Sequence, residues 1–276
     1  MINLTAFQKT LYFDLMTTPL EFATQLALQT GTLLKHYYNP GGILASFKPD
    51  HSVVTIADLK ADRLVSEAIQ EQYPQDLLLS EESHHLLEAT TAPIWVVDPL
   101  DGTTNFSLGL QVWGISIARL VGGFPDLAVI YFPLINELYT AQRGAGAFLN
   151  QNAIHVRAPD PSQPMSFFAC CSRSYRQYDI SIPYKARILG SAAYTFCMVA
   201  RGSAFLGMDA TPKIWDLAGA WLIVEEAGGF MSALEGSTPF PLSAKIDYSK
   251  SNFPTLAAAT PDLFTFGLSK IQKKST

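Results

Sequence analysis

Long apolar runs, paired cysteines and an excess of positive charge are all missing from this chain. No stretch of its 276 residues approaches the roughly 20 apolar positions that span a bilayer, so a membrane anchor within it is not expected. Its three cysteines, Cys170, Cys171 and Cys197, have neither zinc-site spacing nor the numbers of a disulfide framework, and read as buried thiols of a reducing compartment. The start, MINLTAFQKTLYFDLM, lacks the basic cluster and continuous apolar stretch of a secretory signal, which makes the expected location cytoplasmic. With 19 Lys plus Arg against 24 Asp plus Glu, the net charge is −5, and nucleic acid is not expected as the main partner.

What is present is apolar bulk. A hydrophobic content of 48% over this length buries a large core, as one sizeable domain or two packed halves. Phe22, Leu26, Leu33 and Leu34 recur near helical spacing from Pro19 to Tyr38, where NPGG stops the helix. A second helical pattern runs from Thr55 to the YP at 73 and 74, with Asp58 in its first turn, where a carboxylate suits the helix dipole. LLLS (77 to 80) and IWVV (94 to 97) read as short buried strands, each carrying acids at its carboxyl end. Residues 112 to 134 predict a strand hairpin, and RGAGAFLN a glycine turn with a further strand, so that helices precede a mainly antiparallel sheet in the first half.

The loose, proline-bearing stretch HVRAPDPSQPMS (155 to 166) marks a boundary between residues 1–154, an α+β half, and 155–276, an α/β half, within one structural unit. Beyond it FFACCS reads as a strand, ARILGSAAYTFCMVARG as a strand or turn into a helix, and DLAGAWLIVEEAGG as a helix. That last helix has Asp216 as its N-cap, with Gly228 and Gly229 ending it. AAAT and KIQKKST near the end read as a strand and a frayed basic tail.

The chemistry gathers in WVVDPLDGTTNF. Asp98 follows a buried strand and Pro99 turns the chain at once, so Asp98 and Asp101 are presented together. Two such carboxylates repel unless a divalent cation lies between them, and hard oxygen ligands select Mg²⁺. Gly102, Thr103 and Thr104 add amides and hydroxyls beside them, suited to an anionic oxygen. A lone Asp-Pro-x-Asp is commonly a plain turn. Glu81, with Glu82, and Asp216 in IWDLAG supply the further acids that turn it into a site.

DPLDGTTNF (98 to 106) resembles the DP(I/L)DGTxNF signature of the inositol monophosphatase family, and WDLAGAWLIVEEAGG (215 to 229) its WDxAxG…EAGG signature. SEES (80 to 83) resembles its GEES and VVTIAD (53 to 58) its VTxxD, all four in family order over residues 22 to 229. The resemblance implies a layered αβαβα sandwich and a Mg²⁺-dependent, lithium-sensitive phosphomonoesterase that forms a homodimer. It implies Glu81, Asp98 and the Leu100 carbonyl as ligands of a first metal. Asp98, Asp101 and Asp216 hold a second, and Glu81 helps a weaker third. Thr103, oriented by Asp58, aligns the attacking water, while the amides of Gly102 and Thr103 hold the phosphate. Asp101, Asp216, Gly190, Ser191, Ala192 and Asp209 contact the rest of the substrate.

Two positions depart from the pattern. Asp209 stands where inositol-preferring members carry Glu, and Ser80 replaces the first glycine of GEES. Inositol 1-phosphate leads the expected substrates, and 3′-phosphoadenosine 5′-phosphate, fructose 1,6-bisphosphate and histidinol phosphate remain open under the same chemistry. A haloacid-dehalogenase site needs Asp-x-Asp, and the acids here are one residue too far apart. A regulatory binding protein that keeps the fold is the reading from another class. His84 and His85 read as a solvated loop; Tyr175, Tyr178, Tyr184 and Tyr194 as packing, with a nucleotide clamp as the alternative. Arg201 either neutralises a phosphate or forms a salt bridge near the second-half core.

Overall fold

Thr18 begins the first helix by capping it. Its hydroxyl accepts the Glu21 amide at 3.2 Å and the Glu21 carboxylate accepts the Thr18 amide at 3.1 Å, so two otherwise orphaned N–H groups are satisfied as α1 (Pro19–Tyr37) starts. Thr55 and Asp58 repeat the device for α2 (Ile56–Gln72). The computed structural model describes residues 18–48, 52–160, 162, 165–235 and 238–274. The amino-terminal stretch read for a signal, three residues of the boundary stretch and the last two of the tail lie outside the described residues.

Seven strands form the first sheet: β1 (Leu77–Ser80), β2 (Ile94–Asp101), β3 (Gly114–Val121), β4 (Phe124–Phe132), β5 (Glu137–Gln142), β6 (Gly146–Leu149) and β7 (Asn152–Ile154). They lie in the order β7-β6-β5-β4-β3-β2-β1, antiparallel except for β1 against β2, which pair in parallel with Leu77 opposite Ile94. The predicted hairpin is β3–β4; β5 carries no alternating signal strong enough to have been read.

The second sheet comprises β8 (Phe167–Cys170), β9 (Lys185–Ile188), β10 (Ala204–Asp209), β11 (Phe230–Ala233) and β12 (Thr255–Ala258), in the order β9-β8-β10-β12-β11. Its helices are α4 (Ser172–Gln177), following the short α3 (Thr103–Ser107) of the first half, then α5 (Ala192–Ala200), α6 (Ile214–Glu226) and α7 (Pro261–Leu268).

Side-chain alternation explains the layering. On β2, Trp95 and Val97 pack with Phe22, Leu26, Val65 and Ile69 of α1 and α2, while Ile94 and Val96 face a core that includes Phe196 of α5 and Leu217 of α6. Both faces of β2 are therefore covered, and all eight of its residues are buried. Helix α6 is apolar nearly all round because it lies between the two sheets with α5. On the far side of the second sheet, Leu263 of α7 packs with Leu206 and Leu256, completing five alternating layers. No helix among the described residues is long and apolar enough to cross a membrane.

Two sequence expectations need correction. Lys213, not Asp216, is the N-cap of α6; Asp216 is its third helical residue, and its Oδ2 accepts the Lys213 amide at 2.6 Å. A carboxylate satisfies an orphan amide from either place, so the local pattern fits both. The basic tail is not frayed throughout, because Ile271–Lys273 pairs antiparallel with Tyr178–Ile180 and buries Ile271.

Candidate active site

In a regular strand Asp98 and Asp101 would face opposite sides of the sheet. Asp98 lies opposite Ser116 and Asp101 opposite Gly114, so β2 carries one more residue than β3 between these pairs. The resulting bulge lets both carboxylates turn toward one cavity, and Pro99 lies inside the bulge, where a sheet tolerates proline. The Leu100 amide donates to Asp98 Oδ1 at 3.0 Å, which holds the turn. The strand therefore continues to Asp101, beyond the predicted IWVV.

Gly102 follows with φ 84°, and a Cβ there would come within 3.0 Å of the Val112 carbonyl oxygen. Helix α3 then starts at Thr103, whose amide at the first helical position has no intrahelical acceptor. Thr103 Oγ1 lies 2.8 Å from Asp58 Oδ1 and 2.9 Å from the Leu100 carbonyl oxygen. Asp58 Oδ2 meanwhile accepts the Thr55 amide at 2.8 Å and the Thr55 hydroxyl at 2.6 Å. One carboxylate thus starts α2 and orients Thr103.

The second half closes the site. Asp216 on α6 reaches Asp98 and Asp101 so that one carboxylate oxygen from each lies within 4.8 Å of the others. At the start of α5, the Ser191 hydroxyl donates to Asp101 Oδ2 and the Ala192 amide to Asp101 Oδ1 at 3.1 Å. Gly190, with φ 77°, packs on the Asn105 amide, which donates to the carbonyls of Val112 at 2.7 Å and Leu189 at 2.8 Å. Asn105 thereby ties the DGTTN segment to the Gly190 turn. That role was missed in the sequence, although the residue stands inside the quoted motif. Asp209, at the end of β10, accepts the Thr211 amide at 3.0 Å and lines the same cavity, of about 350 Å³.

Burial raises the carboxyl pKa of each of the five aspartates, Asp58, Asp98, Asp101, Asp209 and Asp216. Asp98 is raised first by desolvation and then by the charges of Glu81, Asp101 and Asp216; Asp216 follows the same order, with Asp101 and Glu81 as its neighbours. Asp101 is pushed up to about 7 by burial, against the lowering effect of Ser191 and Ala192. Asp209 and Asp58 are also raised, by burial. No Lys, Arg or His among the described residues pairs with Asp98, Asp101 or Asp216. Three converging, unneutralised carboxylates are a donor set for a hard divalent cation, so the residues present fit one.

Glu81 lines the cavity but stands outside that tight trio. Its Oε1 is 2.8 Å from Lys48 Nζ, which also meets Glu82 at 2.6 Å. Lys48 sits beside the small hairpin of Ser46–Phe47 and Val53–Val54, and nothing in the sequence pattern singled it out. Ser80, in place of glycine, donates to Asp62 Oδ1 at 2.5 Å. Cys171 lines the cavity as a free thiol, while Cys170 and Cys197 are buried.

The remaining candidates lie elsewhere. His84 is exposed, and His85 Nε2 is 2.6 Å from the Glu81 carbonyl oxygen. None of the four tyrosines lines the cavity; Tyr184 packs on Phe205 and Tyr194 on Phe132, at centroid distances of 5.3 and 4.7 Å. Arg201 pairs with Glu137 at 2.5 Å.

Known proteins resemble the chain in sequence and in fold. The chain is 35% identical over 239 residues to the Nus factor SuhB of Escherichia coli K12, covering 82% of this chain and 89% of the relative. It is 30% identical over 250 residues to inositol monophosphatase 1 of Rattus norvegicus, covering 84% and 89%. The crystal structure of the extragenic suppressor protein suhB from Bartonella henselae matches with a TM-score of 0.75 at 28% identity, covering 91% of this chain and 98% of that one. The family model described as the inositol monophosphatase family matches residues 16–263, and the chain belongs to that family.

Proposed function

We propose that this protein hydrolyses a small phosphomonoester of the inositol 1-phosphate kind in a Mg²⁺-dependent reaction, with water attacking phosphorus directly. The observation that carries the reading is the convergence of Asp98, Asp101 and Asp216 beside the Asp58–Thr103 pair. Asp98, Asp101 and Asp216 would hold the cations, with Glu81 and the Leu100 carbonyl completing the set; a cation at Glu81 competes with the Lys48 ammonium. Bound divalent cations supply water activation and stabilisation of the leaving oxygen.

The protein groups handle orientation. When the Thr103 proton is directed to Asp58, the Thr103 oxygen keeps its lone pairs free to accept a hydrogen bond from the attacking water. The P–O bond to the alcohol then breaks, giving the alcohol and inorganic phosphate. The amides of Gly102 and Thr103 would hold phosphate oxygens, while Asp209 and the Gly190, Ser191 and Ala192 turn would face the alcohol.

Phosphate release from inositol 1-phosphate, 3′-phosphoadenosine 5′-phosphate, fructose 1,6-bisphosphate and histidinol phosphate, each with Mg²⁺ and with chelator, tests the reading. Strong release abolished by chelator supports it. Silence across the panel defeats it and moves weight to a regulatory binding role, which similarity to a protein named as a Nus factor makes the second reading.

A further inference from the structure

Strands β8 and β10 run in parallel, with Cys170 opposite Met208. The next residue of each, Cys171 just past β8 and Asp209 at the end of β10, therefore emerge side by side, and both line the candidate catalytic cavity. The Cys171 amide donates to the Met208 carbonyl at 3.2 Å, which ties the two strand ends together. The Ala210 amide lies 3.4 Å from Cys171 Sγ, and the Ser174 hydroxyl 3.2 Å from the same sulfur. Amide and hydroxyl thus fix the sulfur from the side of the backbone.

Asp209 is buried, and no Lys, Arg or His among the described residues forms an ion pair with it. Two neutral donors hold its carboxylate instead: the Thr211 amide, 3.0 Å from Oδ1, and the Cys171 thiol. Arg173, anchored on the Thr211 hydroxyl at 3.0 Å, adds a longer-range attraction. Burial, and after it the Asp209 charge, push the Cys171 thiol up, so the group stays S–H and donates rather than acting as a nucleophile. A carboxylate fixed in this way presents its remaining lone pairs to the cavity in one direction, and a ligand hydroxyl that uses them need not meet the cost of ordering it.

We propose that Cys171 is a positioning residue for substrate selectivity: its thiol holds Asp209 in the orientation in which the carboxylate accepts a hydroxyl from the alcohol part of the substrate. The proposal rests on the phosphatase reading for what occupies the cavity. It differs from the ordinary role of a free cysteine, which fills space as a small apolar group, because it requires the S–H hydrogen.

Steady-state phosphate release with Mg²⁺ is measured on inositol 1-phosphate, which is rich in hydroxyls, and on ethyl phosphate, whose alcohol part offers none. The readout is the ratio of the two kcat/KM values. Cys171→Ala is expected to lower that ratio by about fivefold or more, the scale of one lost hydrogen bond, chiefly through KM for inositol 1-phosphate. Cys171→Ser, which keeps a donor, is expected to bring the ratio back to within about twofold of wild type. Lost packing would weaken both substrates alike, so an unchanged ratio in Cys171→Ala overturns the proposal, as does a serine variant no better than the alanine one. The Raman S–H band of Cys171, assigned by its loss in Cys171→Ser, gives a second measure that needs no turnover and no alanine variant. Asp209→Asn is expected to move the band to higher frequency, because a neutral acceptor binds the thiol hydrogen less strongly than a carboxylate; an unmoved band overturns the contact. Absence of release from both esters by the wild type counts against the phosphatase reading alone, and the band still decides whether the thiol holds Asp209.

Discussion

Thr103 Oγ1 sits 2.8 Å from Asp58 Oδ1, joining the start of one helix to the start of another across 45 residues of sequence. Because the other Asp58 oxygen caps α2 through Thr55, the orientation of the hydroxyl depends on the seating of that helix. Asp58→Asn places an amide donor against the Thr55 donors or against Thr103. Its kcat is expected to fall by about a hundredfold or more, the scale of a lost positioned acid-base contact, with a smaller change in KM. Steady-state phosphate release decides this, and an unchanged kcat would remove Thr103 and Asp58 from the reaction.

Asp98 carries a different trade. Asp98→Asn removes a carboxylate shared between the proposed cation positions, and kcat is expected to drop at least about a thousandfold, or ~4 kcal/mol. The same change relieves repulsion with Asp101 and Asp216, so the chelated variant should melt at a higher temperature than the chelated wild type. Activity within tenfold of wild type would defeat the metal assignment.

The same carboxylates make metal-free stability depend on pH. Their folded pKa values lie above the ordinary 3.8, reaching about 7 for Asp101, so over that window the native chain binds more protons than the unfolded one. Their contribution is fully present below the ordinary value and is lost as pH rises through the folded values. In chelator the protein is expected to melt at a lower temperature at pH 8 than at pH 5.5, and saturating Mg²⁺ should shrink the difference. Identical melting temperatures in chelator at both pH values would contradict it.

Gly190 tests the joint between the halves. Gly190→Ala forces a side chain into a left-handed backbone and sets its Cβ 2.5 Å from Asn105 Oδ1, whereas Gly122→Ala, at φ 59°, meets nothing within 4 Å. Backbone strain alone costs roughly 1–3 kcal/mol. Urea unfolding should show Gly190→Ala losing clearly more stability than Gly122→Ala; equal losses would mean that the Asn105 contact is unimportant.

Arg201 supplies the negative control. Its guanidinium pairs with Glu137, away from the cavity lining, so Arg201→Met is expected to change kcat/KM less than threefold. A tenfold loss would place Arg201 in substrate recognition.

Much of the candidate cavity's lining was legible locally. A strand ending in Asp-Pro-Leu-Asp, a glycine and two threonines announce ligands and donors because a turn presents neighbours together whatever the rest of the chain does. The helices at Pro19 and Thr55 were equally readable, since capping residues and apolar spacing act within a few positions. Lys213 and Asp216 show the limit of local pattern: the spacing revealed a helix start but not which residue capped it.

By itself the sequence determined which acids, hydroxyls and glycines were available, and their order along the chain. Only the tertiary structure decided that the bulge in β2 turns Asp98 and Asp101 into one cavity, that α6 brings Asp216 to within 4.8 Å of them, and that Lys48 meets Glu81. It alone decided that Arg173, Lys213 and Lys250 line one space, because these cations are far apart in the chain and none belongs to a motif. The physical reason is range: capping and turn chemistry act over three or four residues, whereas the packing that brings Asp216 to Asp98 joins residues more than a hundred positions apart.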